Sequence, residues 1–172
     1  LTRIVIPRFS AIRELPELES TLVRYQALLC YPILGFVSLF VATAHPAIVV
    51  VLGDDWAGAA EYVPILAVGA VFQTLAYVYY WGFVSRGRSG LLLASESIGR
   101  IAMIGLVFVL APISPEAVAW ATVAGNGLIW LTGTVYFVPR LGLSPVRLTK
   151  AAVPALSVFA LAAGLTATAD AV

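Results

Sequence analysis

Charge is scarce in this sequence: 11% of its 172 residues are Asp, Glu, Lys or Arg, where soluble domains carry about 25%. With a mean hydropathy of +0.99, that scarcity excludes a water-soluble core, because so few polar groups cannot cover the apolar remainder. Cysteine is nearly absent. Cys30 stands alone, which excludes an intrachain disulfide, and with the single histidine, His45, it forms no cluster of metal-ligand spacing. Phosphate-cradling glycine loops, a nucleophile elbow and the partners of a catalytic triad are all missing. No enzyme, cofactor or metal is therefore expected. The Lys and Arg are scattered between apolar runs under a net charge of +1, so no nucleic-acid partner is expected either. Leu1 to Ser10 has neither the charged start nor the apolar run of a signal peptide. Since the first residue is not Met, the chain is expected to be a piece of a longer protein.

What the sequence does contain is long apolar runs. Residues 28–52, 63–84, 91–110, 115–138 and 151–169 each approach or exceed the roughly 20 residues a helix needs to cross a 30 Å hydrocarbon core. Short alternating strands, the pattern of a membrane barrel, are not seen. The expectation is an all-α, polytopic transmembrane bundle of five spans. Residues 1–27 are expected to hold the end of a preceding helix and then an amphipathic segment, Arg13 to Gln26, lying on the membrane surface.

The connectors alternate in charge. Arg3, Arg8, Arg13 and Arg24 precede the first run, Arg86 and Arg88 follow the second, and Arg140, Arg147 and Lys150 follow the fourth. The other connectors hold Asp54, Asp55 and Glu61, then Glu116, then Asp170, without Lys or Arg. The positive-inside rule assigns the basic side to the cytoplasm. That puts residue 1 inside and residue 172 outside an inner (cytoplasmic) membrane. Ser114, Pro115 and Glu116 form a helix start, and Pro139 and Gly142 a stop. Ala117, Ala121 and Gly125, like Ser95 and Gly99, recur every four residues, as close helix contacts in lipid require.

Polar groups inside spans are costly and therefore informative. Gln73, Tyr77 and Tyr80 share one helical face, either as a cavity wall or as a helix-bonding glutamine with interfacial tyrosines. Glu96 and Arg100 stand four apart, in the favourable order for an ion pair. Arg100 either receives a phosphate through its fork of donors or snorkels as a structural partner. Asn126 and Thr122 share a face near mid-bilayer with Trp130 one turn on, placed for helix-to-helix bonding or for the cavity. His45 with Pro46, near the outer end of the first run, is either a proton-responsive group beside a kink or an interfacial side chain, and Asp54-Asp55 lacks the third ligand a metal site needs.

Three landmarks occur in order: Ile6-Pro7-Arg8-Phe9-Ser10 before the Arg24 to Gly35 helix start; Leu52-Gly53-Asp54-Asp55-Trp56-Ala57-Gly58-Ala59 before Pro64-Ile65-Leu66-Ala67; and Ser85-Arg86-Gly87-Arg88. Over roughly Ile4 to Leu148 this order resembles the polysaccharide transporter, or O-antigen flippase, family. The likeness is to its C-terminal half, within the multidrug, oligosaccharidyl-lipid and polysaccharide exporter superfamily. The resemblance implies one lobe of a two-lobed, MATE-like transporter whose N-terminal half is missing here. It implies alternating access, with a polyprenyl-diphosphate-linked oligosaccharide as substrate and membrane lipid as surroundings. It also implies basic cavity groups for the diphosphate, for which Arg24 and Arg100 are the nearest residues. A drug or cation antiporter of the same superfamily would use an intramembrane carboxylate, and Glu96 comes nearest. A scaffold subunit would need no cavity at all.

Overall fold

The computed structural model describes residues 2–169, with side chains described for 7–161; Leu1, Asp170 and Val172, on which the expected sidedness of the two ends was drawn, lie outside the described residues. The chain is about 90% helical, without strands among the described residues. It runs through α1 (Thr2–Ala11), α2 (Leu15–Ala42), α3 (Ala44–Leu52), a 3-10 segment (Asp54–Tyr62), α4 (Val63–Ser85) and α5 (Ser89–Leu110). Then follow α6 (Pro115–Thr132), a π turn (Gly133–Phe137), a second 3-10 segment (Val138–Leu141) and α7 (Pro145–Ala169). Four helical stretches, Leu15–Ala42, Asp54–Ser85, Ser89–Leu110 and Pro115–Leu141, are long and apolar enough to cross a membrane. The fifth expected span falls within α7, in which the side chains of residues 162–169 are not described.

Two boundaries differ from expectation, each for a local reason. Arg13 to Gln26 is not a separate surface helix: Pro16 serves the first turn of α2, and the helix continues from there to Ala42, with Pro32 inside it. Its apolar face, Leu18 and Leu22, continues at four-residue spacing through Gln26, Cys30 and Leu34, all buried inside the bundle. The run from 28 to 52 is in turn divided at Thr43 (φ −112°, ψ 16°) into α2 and α3. Pro46 lacks an N–H and its ring conflicts with the carbonyl four residues earlier, here Ala42, which favours a break at this point, whereas Pro32 is accommodated inside α2. Thr43 closes the break by donating its N–H (3.1 Å) and its hydroxyl (2.9 Å) to the Leu39 carbonyl.

The start of α6 follows the sequence signal: the Ser114 hydroxyl accepts the Ala117 N–H at 3.1 Å, with Pro115 in the first turn. Its end is gradual, widening into the π turn, tightening to 3-10, and stopping at Gly142 (φ 77°).

In the bundle α4 is central, packed against α1, α2 and α6; α7 covers α2, and α5 lies on the far side of α6. Small residues set the α5–α6 contact: a Cβ on Gly99 would stand 2.8 Å from the Gly125 carbonyl and collide with Ile129, and one on Gly125 would stand 2.5 Å from Met103 Cβ. The Ser95 hydroxyl donates across this contact to the Ile129 carbonyl at 3.3 Å. The largest core cluster, including Phe9, Leu18, Leu22, Val78, Trp81, Phe83, Val138 and Leu148, lies at the end of the molecule where the basic connectors meet. There Arg86 donates to the Arg13 carbonyl at 3.3 Å and Arg147 pairs with Glu19 at 3.6 Å.

Candidate functional site

Gln73, Tyr77, Tyr80, Glu96, Arg100 and Asn126 line one cavity of about 370 Å³, completed by Ala76 and Ile129. It opens between α4 and α5 and is floored by α6. The residues converge because the small-residue contact draws α6 against α5, while α4 packs on the other side of α6. On α4, positions 73, 76, 77 and 80 follow the i, i+3, i+4, i+7 face of a helix. Ala76 belongs to that face and was recoverable from the same periodicity; Ile129 was not, since its place depends on how α6 is turned.

Depth follows from helix geometry. At 1.5 Å per residue, Arg100 lies about 16 Å from the start of α5, Gln73 about 15 Å from the start of α4 and Asn126 about 16 Å from the start of α6. All three therefore stand near the middle of their helices, with Glu96 and Tyr80 closer to the basic end. Arg100 thus stands near the middle of α5.

The cavity is polar in a specific way. Arg100 Nε and Glu96 Oε2 are 3.4 Å apart, with the two side chains 43% and 40% exposed. A guanidinium has five donors and one carboxylate engages at most two, so Arg100, which lines the cavity, keeps donors beyond this pair. Asn126 is 7% exposed, and its Oδ1 is buried without a partner among the described residues. Gly69 leaves room for that amide: a Cβ there would stand 3.4 Å from Asn126 Nδ2. Thr122 turns back to the Val118 carbonyl of its own helix at 3.4 Å, so the Thr122–Asn126 pair does not bond across helices. Gln73 is exposed and hydrogen-bonded to no described residue, which favours the cavity wall over the helix-bonding alternative.

Behind the cavity, Tyr79 turns away from Tyr77 and Tyr80 and shares a 2.8 Å hydrogen bond with Thr134 Oγ1 in the π turn. The π turn had no sequence signal beyond Gly133. Arg24 is not in the cavity; it lines a crevice with Arg8, Ser20, Thr21, Tyr25 and Leu28. Asp54 and Asp55 open the 3-10 segment with both side chains exposed, and no metal-binding group of His, Cys, Asp or Glu is present among the described residues.

No family model, curated protein or solved structure matches this chain. Fold and hydropathy define a helical, multi-pass membrane protein, and its cavity brings together polar side chains of α4, α5 and α6.

Proposed function

We propose that the chain is part of a flippase that carries a polyprenyl-diphosphate-linked oligosaccharide across the cytoplasmic membrane during polysaccharide or lipopolysaccharide synthesis. The basic end faces the cytoplasm and the substrate is received by alternating access of two lobes, of which this chain forms one. The carrying observation is the cavity itself: an arginine at mid-span with donors to spare, beside Gln73, Asn126 and two tyrosines. Arg100 binds the diphosphate, where charge-assisted bonds are strongest. The amides and phenols bind sugar hydroxyls, and Glu96 holds the guanidinium in place. The volume falls within the roughly 300–1,000 Å³ usual for ligand pockets, enough for a diphosphate and the sugar next to it. The resemblance of the three sequence landmarks supports the same substrate class.

Glu96 gives the antiporter reading its one specific observation, a carboxylate within the cavity. Paired variants of the full-length protein separate the two readings. In a strain lacking its own flippase, Arg100→Ala is expected to lower export of lipid-linked oligosaccharide to the outer leaflet by about tenfold or more, the loss of a charged hydrogen bond. Arg100→Lys recovers part of it, and Glu96→Gln retains most. Drug or cation efflux that depends on Glu96 and ignores Arg100 would replace the flippase reading by the antiporter. A membrane-inserted protein with neither activity would leave only the scaffold.

A further inference from the structure

The Arg24 crevice is separate from the cavity: it encloses about 560 Å³ between α1 and the early turns of α2, and shares no lining residue with the cavity. Two guanidinium groups, of Arg8 and Arg24, stand on its walls. Both are exposed, and the ion pairs among the described residues are Glu96–Arg100 and Glu19–Arg147, so neither arginine is in direct contact with a carboxylate of the described residues. Their neighbours in sequence fix the helices that carry them. Phe9 and Tyr25 meet edge-on at 5.1 Å, and both meet Trp81, at 6.1 Å and 6.0 Å. The crevice is therefore anchored to the core at the basic end rather than formed by loose side chains.

Its depth and its floor point to lipid. From Arg24 to the end of α2 no charged residue intervenes, a distance of about 27 Å at 1.5 Å per residue and close to the roughly 30 Å of hydrocarbon. Arg24 thus stands at head-group level. Below it α2 presents a continuous apolar face, with Leu28 61%, Tyr31 52% and Leu39 62% exposed. Gly35 on that face has nothing within 4 Å of where a Cβ would stand, which leaves a shallow track down the helix.

We infer that this crevice binds an anionic phospholipid, its phosphate between Arg8 and Arg24 and one acyl chain along the α2 track. The guanidinium forks match phosphate oxygens, and basic pockets between helices at the membrane surface select anionic head groups. A zwitterionic lipid would bring an ammonium group into a site already doubly positive. The inference is independent of the transport reading, because the cavity residues take no part in it.

The test is native mass spectrometry of the delipidated full-length protein titrated with phosphatidylglycerol or phosphatidylethanolamine. Wild type is expected to retain phosphatidylglycerol preferentially. Arg8→Gln and Arg24→Gln are each expected to weaken that retention about fivefold, since an arginine near an anionic surface contributes about that factor, and the double variant removes the preference. Arg88→Ala, which takes the same charge from the same end outside the crevice, keeps it. Equal binding of the two lipids by wild type, or an equal loss in Arg88→Ala, would overturn the site in favour of a diffuse basic field. Displacement of phosphatidylglycerol by millimolar inorganic phosphate would reduce it to an anion site. Tighter binding of a polyprenyl diphosphate, lost in the same double variant, would assign the crevice to the transported substrate instead.

Discussion

Gly99 and Gly105 lie on the same helix and make opposite predictions. At Gly99 an added Cβ meets a backbone carbonyl at 2.8 Å and the Ile129 side chain; the carbonyl cannot turn away without disturbing α6, so α5 must lift. Gly99→Ala is expected to destabilise the full-length protein by about 1–3 kcal/mol, the usual cost of overpacking, read as a shift in a detergent-unfolding titration. Gly105 has nothing within 4 Å, so Gly105→Ala is expected to be neutral or to stabilise by up to about 1 kcal/mol through helix propensity. A similar loss at both would mean that backbone flexibility, not helix contact, is what these glycines supply. The same contact governs the cavity, because Asn126 is carried by the α6 turn beside Gly125. Gly99→Ala should therefore weaken substrate transport as well, while Gly105→Ala should not.

At the scale of elements, the short α1 is held by one residue more than any other described. Phe9 is fully buried and packs edge-on against Tyr25 of α2 and Trp81 of α4. Phe9→Ala is expected to cost roughly 3–5 kcal/mol and to expose the α1–α2 joint to limited proteolysis; unchanged cleavage there would show that α1 docks through something else. The elements also divide by how legible they were. The α4 face of Gln73, Tyr77 and Tyr80 and the Glu96–Arg100 pair could be read directly, because both relationships lie within one helix and follow its 3.6-residue period. Pro46 marks a kink near the break at Thr43, but Pro32 carries the same signal inside an unbroken α2, so proline alone did not decide where the helix would divide. Arg13 to Gln26 was misassigned because an amphipathic face suits a membrane surface and a bundle interior equally; α7 and α4, which bury Leu18 and Leu22, decide between them. The unpartnered Asn126 carbonyl and the meeting of Arg8 with Arg24 had no signal in the sequence, since both depend on how separate helices are placed.

At the scale of the whole molecule, the alternation of basic and acidic connectors and the short turns between α4, α5 and α6 require that Gly90 and Gly58 lie at opposite ends. Gly90 follows the basic Arg86–Arg88 turn and Gly58 lies in the acidic 3-10 segment; a Cβ at either meets nothing within 4 Å, so a cysteine fits both places without strain. Cys30 is the chain's own thiol and is buried, and its replacement by alanine, with that of any cysteine elsewhere in the full-length protein, leaves a background in which only the introduced group reacts. Orientation in the membrane is set by Lys and Arg in short connectors. In intact cells Gly58→Cys is therefore expected to react with a membrane-impermeant maleimide, and Gly90→Cys only after the membrane is opened. The reverse pattern would invert the molecule, and with it the side from which the cavity, whose Glu96 and Tyr80 lie toward the basic end, receives its ligand. Reaction of both from outside would mean that the stretch between them does not cross the membrane, which would remove the basis for a mid-bilayer Arg100.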